Sequence, residues 1–501
     1  MSAQSIKAAA ARGVRWNGLA TVLRVGFLTA RMVVLARLLS QRDFGLASMV
    51  GVVLGYAQAY VDLGLSSALI QKQEQDPDRL STIFWINLMA GLLSGALLFA
   101  LQKPVSLLFN EPGLVSLIAV SALQLPLVAL GQQFEALFQR DLRFKLLAVV
   151  QIGADAVNTA LAFVLALKGH GAWALVLGTL TGAALNSAGL FALGVQHWPV
   201  RFAFRPSEIK SHLRFGAYQL ANINVGYLTA NLDTIIIGRY LGTEAVGVYS
   251  LAQRVTQLPK RYINPVIAKV AFPVFAKQNR DKAQMAESLL QLQRSLSHLN
   301  APLIVGLCLV APLLIPLVYG QKWQSSVPLV QLLCALGLVG GVSGPTQLVR
   351  TALGHVRFNF HWTWITGIAY GLVMWAAASS GLMGIVLART LLGFVLGVAM
   401  IAITLRFLET SFLRFLGTLR IPALGSILMA GSVYGVFHLP VPMPDVARLM
   451  VAIVAGAVTY IGISAWLDRE FLERSLRLLL GLKSKGKVAP VVPPSEDVRE
   501  P

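Results

Sequence analysis

Stretches of about 20 apolar residues recur along almost the whole chain, and no other feature narrows its fold as far. A helix of that length crosses the ~30 Å hydrocarbon core of a bilayer, where every backbone N–H and C=O has to be satisfied within the protein. Helix-length windows place spans near 14–39, 44–70, 82–102, 113–138, 145–167, 171–195, 214–241, 245–270, 292–319, 326–353, 359–380, 382–405, 420–439 and 445–466, about fourteen in all. The longest polar pieces, near 71–81, 197–213 and 273–290 and after 468, are too short for a separate soluble domain. Only 13% of residues are charged, against roughly 25% in a soluble domain, so the chain reads as an all-α polytopic membrane protein. Transmembrane β-strands, which alternate in polarity over about 10 residues, do not match its pattern.

The net charge of +20 is spread over alternate connections and forms no dense, aromatic-interleaved patch, which excludes a nucleic-acid surface. Arg140, Arg143 and Lys145 fall in one connection; Arg201, Arg205 and Lys210 in the next of that series; then Lys277, Arg280 and Lys282; Arg406, Arg414 and Arg420; and a tail with Arg474, Arg477, Lys483, Lys485 and Lys487. The intervening connections, "GHG", "GTEA", "SSGLMG" and "HLPVPMPD", are nearly free of Lys and Arg. By the positive-inside rule both termini lie in the cytoplasm. "MSAQSIKAAAARGVRWNG" leads straight into a span and lacks a small-residue cleavage site, so it does not read as a cleaved signal. The tail at 469–490 is amphipathic and then basic, as a segment lying on an anionic leaflet would be, and 491–501 is expected to be disordered. Cys308 and Cys334 sit in apolar runs without metal-ligand spacing, and no metal, haem or nucleotide cofactor is expected.

One phrase occurs twice. "ARLLSQRDFGLASM" (36–49) aligns with "GRYLGTEAVGVYSL" (238–251), matching Arg37, Leu39, Gly45 and Ser48 to Arg239, Leu241, Gly247 and Ser250 at a constant offset. Both copies cover the end of a span, a tight turn and the start of the next, six spans apart. An even spacing makes the repeats parallel, with two six-helix lobes facing each other across a cleft. The expected division is a first lobe at 1–200, a second at 201–407, two further spans at 408–467 and a cytoplasmic tail at 468–501.

At these phrases the chain resembles the Wzx-type flippases of the multidrug/oligosaccharidyl-lipid/polysaccharide exporter superfamily, nearest their colanic acid exporter branch. "LARLLSQRDFGLASM" (35–49), "DLGLSSALIQ" (62–71), "LFQRDLRFK" (137–145), "GHGAWALV" (169–176), "LRFGAYQ" (213–219), "NLDTIIIGRYLGTEAVGVYSLAQR" (231–254) and "VAFPVFAK" (270–277) carry the resemblance. The family usually reads Ser-Pro-Glu-Asp in the first turn, where this chain has Ser40, Gln41, Arg42 and Asp43. The resemblance implies a two-lobed, V-shaped exporter of the bacterial inner membrane. It would carry an undecaprenyl-pyrophosphate-linked oligosaccharide repeat from the cytoplasmic to the periplasmic leaflet for surface polysaccharide synthesis. Membrane lipids surround it, H⁺ or Na⁺ is the candidate coupling ion, and a polysaccharide polymerase and chain-length regulator are candidate partners.

Charges inside the spans are costly unless they face protein or water, so each asks for a reason. Arg24 and Arg31, seven residues apart, share a face of span one at depths of roughly 15 and 25 Å. Arg254 and Arg261 repeat the spacing on span eight. Forked guanidinium donors match phosphate oxygens, which makes these two faces the expected pyrophosphate site, with Arg350 and Arg389 as further cleft residues. The competing reading pairs each arginine with a carboxylate such as Asp62, Asp155 or Asp233. Asp62 and Asp233 are expected either to couple transport to H⁺ or Na⁺ or to serve in ion pairs and helix caps. Gln151, Asp155 and Asn158 share a face of span five and could bind sugar hydroxyls or join helices. Pro126, Pro265, Pro302, Pro312, Pro316 and Pro345 are expected to bend or break their spans, and Trp85, Trp173, Trp323, Trp362 and Trp364 to anchor span ends at the interface.

No acid, base or nucleophile constellation stands out, so the expectation is a transporter and not an enzyme; a polytopic polymerase or ligase would need one on its outer side. The nearer rival, a cation-coupled multidrug exporter of the same superfamily, would favour an acidic cleft over the span-one arginines.

Overall fold

The computed structural model describes residues 26–62, 65, 66, 69, 74–205 and 210–469, and for 62, 210–223, 225, 259–270 and 356 the backbone alone. Every regular element among them is helical. The helices are α1 (26–38), α2 (Gln41–Asp62), α3 (Pro77–Ala100), α4 (Gln102–Phe109), α5 (Leu114–Ala122), α6 (Gln124–Arg140), α7 (Phe144–Leu167) and α8 (Ala172–Val195), followed by α9 (Lys210–Lys277), α10 (Lys282–Tyr319), α11 (Val327–Ala352), α12 (Val356–Ala376), α13 (Gly381–Phe407), α14 (Phe412–Gly417), α15 (Arg420–Phe437) and α16 (Asp445–Leu467). Ten stretches among the described residues are long and apolar enough to cross a bilayer. Arg24, the chain start and the tail beyond 469 lie outside the described residues.

Local chemistry sets the boundaries. Asp76 caps α3 by accepting from the Asp78 N–H, with Pro77 at the first helical position, and Asp281 caps α10 through the Gln284 N–H at 2.9 Å. Pro126 has no N–H to offer the Ala122 carbonyl, and the helix breaks there, at Leu123, into α5 and α6. By contrast α10 runs through Pro302, Pro312 and Pro316, and α11 through Pro345. Gly242, at φ 82°, divides α9 into two arms, 210–241 and 243–277, within the repeated phrase.

The helices α2, α3, α6, α7 and α8 pack on one another as one group, and α9, α10, α11, α12 and α13 as a second. The pair α15 and α16 docks on α10. The two groups meet mainly where α2 crosses α9. There Gly45 lies against the Thr243 carbonyl and Gly247 against the Gln41 carbonyl, so close that a Cβ on either glycine would collide with the backbone opposite. Each such Cβ would also lie 3.2 Å from the other glycine's amide nitrogen. Gly45 and Gly247 are the matched glycines of the two phrases, and Gln41 and Thr243 occupy matched positions. The repeat is therefore a symmetric helix crossing, each copy supplying the groove that the other enters.

Around this crossing the groups cap each other's helices. Lys322 Nζ donates to the carbonyls of Arg37 (2.9 Å) and Leu39 (2.6 Å), and Trp323 Nε1 to that of Ala36 (2.9 Å), at the C-terminus of α1. In return Arg37 donates to the Leu317 and Val318 carbonyls at the C-terminus of α10. Each cation sits at the negative end of a helix dipole and satisfies carbonyls that the helix leaves open. Trp323 was expected to anchor the membrane interface; instead it is fully buried, edge-on to Phe44 at 5.2 Å. Its ring fills the gap between the groups, and its N–H finds a helix-end carbonyl in place of a headgroup.

The basic connections gather at the opposite end. Arg201 and Arg205 pair with Asp78, Lys282 with Glu409 at 2.6 Å, and Arg414 with Glu287. Glu74 accepts from Arg79 at 3.2 Å and from the Asp76 and Gln75 amides. Burial raises its pKa, but these hydrogen bonds and the Arg79 charge outweigh that and hold the carboxyl below its ordinary range.

Candidate functional site: a cationic cavity between the lobes

Beneath the crossing lies a cavity of ≈ 420 Å³ with walls from both groups. Thr29 and Arg31 face it from α1, and Arg254 and Gln257 from α9. Leu35 and Phe44 close the end next to the crossing. Arg31 and Arg254 thus reach one space from the two groups. Arg254 is exposed to that space and has Ser48 Oγ at 3.5 Å from its Nη2; Arg31 is half-buried, with the Asp155 carboxylate of α7 as its electrostatic neighbour. Among the described residues no carboxylate lines the cavity, and, with Asp155 offsetting part of the Arg31 charge, the donors it presents are guanidinium and amide N–H groups. Such a lining binds anions, phosphates above all.

The other expected residues stand elsewhere. Arg24 lies outside the described residues, as do the side chains of Arg261 and Asp62. Arg350 is buried inside the second lobe, its Nε donating to Asn359 Oδ1 at 2.8 Å and its Nη1 to Thr346 and Thr404 hydroxyls. Arg389 lies in the same lobe, 3.2 Å from Asp233, and neither arginine lines the cavity. Gln151 donates to Glu135 at 3.2 Å. Asn158 is buried against Gly178 and Gly182 of α8, where it fills the helix–helix seam.

Sequence reasoning passed over Gln257, although it follows Arg254 by three residues on the same helical face. It gave no role to Lys322 and took Arg37 only as a matched residue of the repeat, since the partners of both are main-chain carbonyls with no signature in sequence.

A second, apolar cavity of ≈ 360 Å³ lies where α15 meets α10 and α11, lined by residues such as Val305, Leu338, Val342, Pro422 and Ile427. Asn300 Oδ1 and Ser426 Oγ, on residues of its wall, are buried without a hydrogen-bond partner.

Membrane-length helices in two like-built groups, a symmetric crossing and a cationic cavity between the groups define a polytopic membrane transporter fold. The same fold is found in the lipid II flippase MurJ in an inward closed conformation, with a TM-score of 0.72, 14% identity, and coverage of 91% of this chain and 99% of that one. The chain belongs to the polysaccharide biosynthesis protein family, whose model matches residues 34–328. Among curated relatives it is similar to the lipopolysaccharide biosynthesis protein WzxC of Escherichia coli (strain K12), 31% identical over 354 residues, 70% of this chain and 71% of that one. It is also similar to the teichuronic acid biosynthesis protein TuaB of Bacillus subtilis (strain 168), 27% identical over 454 residues, 90% of this chain and 94% of that one. The resemblance to Wzx-type flippases rests on these matches and on the fold together.

Proposed function

We propose that this protein is a flippase that moves an undecaprenyl-pyrophosphate-linked oligosaccharide repeat from the cytoplasmic to the periplasmic leaflet of the inner membrane, for surface polysaccharide synthesis. The single observation that carries the reading is the cavity that Arg31 and Arg254 enter from opposite lobes. A pyrophosphate needs forked cations in a water-accessible space inside the membrane, and a guanidinium on each lobe lets the grip change as the lobes rock. Arg24 and Arg261, each seven residues from its partner, would extend this face. The apolar cavity beside α15 offers room for part of the polyprenyl chain.

The basic connections belong to the cytoplasmic side, with both termini there, and the capped crossing to the periplasmic side. On this assignment the lobes, 1–200 and 201–407, are closed outward, with 408–467 as an accessory pair. Asp62 is the carboxylate retained for a coupling ion, H⁺ or Na⁺, and a polymerase and chain-length regulator would take over the delivered repeat. The chain acts as a transporter, not an enzyme.

The test uses a strain lacking the protein and an impermeant probe of the labelled lipid-linked repeat. Accumulation on the cytoplasmic leaflet, reversed by the wild type and not by Arg31→Ala/Arg254→Ala, is the expected result. Normal arrival at the periplasmic leaflet without the protein would sink the proposal.

A further inference from the structure

Asp233 is an acid buried inside the second lobe, 2% exposed, in the arm of α9 before Gly242. An ionised carboxylate in such a place requires a cation. A transport protein can draw that cation from solution, and the carboxylate then becomes the point where an ion gradient acts. Here the position is taken. Arg389 of α13 places Nη1 3.2 Å from Asp233 Oδ2. The same Nη1 donates to the Tyr249 hydroxyl at 2.6 Å, which in turn donates to Asp233 Oδ2. Gln253 Nε2 donates to Oδ2 at 3.1 Å, and the Thr234 amide to Oδ1 at 2.8 Å.

A carboxylate has about four acceptor sites. The Arg389 cation, Tyr249 and Gln253 crowd Oδ2 and the Thr234 amide takes a site on Oδ1, from three chain segments, the two arms of α9 and α13. Among the described residues, Tyr370 of α12 is the remaining titratable neighbour of the arginine. Na⁺ would have to displace the Arg389 charge from beside these same oxygens, and a proton on Asp233 would break a network that is already neutral.

We propose that Arg389 is a tethered counter-ion: it fills the cation position of Asp233, so that the second lobe carries its monovalent cation as part of the chain and exchanges neither H⁺ nor Na⁺ at this carboxylate. The inference concerns coupling and stands whatever cargo the cavity takes.

The measurement is the thermal unfolding midpoint of the purified full chain in NaCl and in choline chloride at equal ionic strength. The wild type should be indifferent to the exchange. Arg389→Met should be destabilised and should gain a Na⁺-dependent rise of several degrees, which Asp233→Asn/Arg389→Met lacks. A folded Arg389→Met that responds neither to Na⁺ nor to acidification overturns the proposal. So does Na⁺-dependent stabilisation of the wild type that Asp233→Asn abolishes, and this arm decides the matter even where Arg389→Met does not accumulate. Recovery of a missing Arg389→Met by the added Asp233→Asn supports the tether, because the double variant has no charge left to compensate.

Discussion

Arg31 and Arg254 differ from Arg350 and Arg389 in what they face. Arg350 and Arg389 are held by side-chain oxygens within their own lobe, whereas Arg31, with Asp155 beside it, and Arg254, near Ser48, both reach a cavity whose described lining is hydroxyl, amide and apolar groups. Charge-assisted hydrogen bonds contribute roughly 1.5–3 kcal/mol each, so Arg31→Ala or Arg254→Ala should slow flipping on the order of 10-fold or more at normal protein level. Arg31→Lys keeps the charge but loses the fork, and its rate should fall between the two. The initial rate in the leaflet assay reads both, and loss of folded protein in place of loss of rate would assign these arginines to structure. At the other end of the bundle Glu74 makes a prediction about pH. Its folded pKa lies below the ordinary 4.5, so its contribution to stability is present above that value and is lost as pH falls through the folded one. The gap in unfolding midpoint between wild type and Glu74→Gln should stay flat from about pH 8 to pH 6 and close in acid. A gap that persists in acid would show that Glu74 acts through shape alone.

At the scale of elements, the apolar runs placed the helices well, because burial in a bilayer demands length and composition and little else. The run at 145–167 became Phe144–Leu167, and that at 445–466 became Asp445–Leu467. The prolines were less legible. Pro126 broke its helix, while Pro302, Pro312 and Pro316 did not, since neighbouring helices decide whether a missing hydrogen bond opens a kink. Least legible was the mutual capping of α1 and α10, since Lys322 and Trp323 donate to main-chain carbonyls that any residue type would present. On the proposed orientation, the capping and the glycine crossing must both separate if the cavity is to open towards the periplasm. Lys322→Met should therefore raise the reactivity of a cysteine placed at Thr29 towards an impermeant thiol reagent added from that side, in a background lacking Cys308 and Cys334. Gly45→Val, which drives a side chain into the Thr243 carbonyl, should do the same more strongly. Unchanged labelling in both variants would place the outward gate elsewhere.

The molecule as a whole shows why a duplicated phrase was the most informative stretch of its sequence. Matched glycines can be read as a repeat, and a repeat implies an axis, but only the structure shows the axis passing through the phrase itself. The meeting of Arg31 with Arg254 at one cavity is not a match of the repeat, and the Asp233 network needed three chain segments to converge with no spacing to announce it. The accessory helices lie outside this symmetry and are held by chemistry of their own. Asp468, 5% exposed at the end of α16, accepts from Arg294 Nη2 at 2.6 Å and stands 3.1 Å from His298 Nε2, both on α10. The Tyr460 hydroxyl, two turns earlier on α16, donates to the His298 carbonyl at 3.1 Å. This cluster and the apolar cavity lie along the same seam, with Ser297 and Asn300 of the cavity wall flanking His298 in the chain. If the seam holds the polyprenyl chain, loosening it should impair flipping without touching the phosphate site. Asp468→Ala removes the acceptor and leaves Arg294 and His298 without it, which should cost on the order of 1–3 kcal/mol in stability. In the leaflet assay the variant should lose rate on a long polyprenyl carrier and lose less on a short one, while Arg31→Ala should lose rate on both. Equal losses on the two carriers would make the accessory pair a scaffold for the second lobe and move the lipid path elsewhere in the bundle.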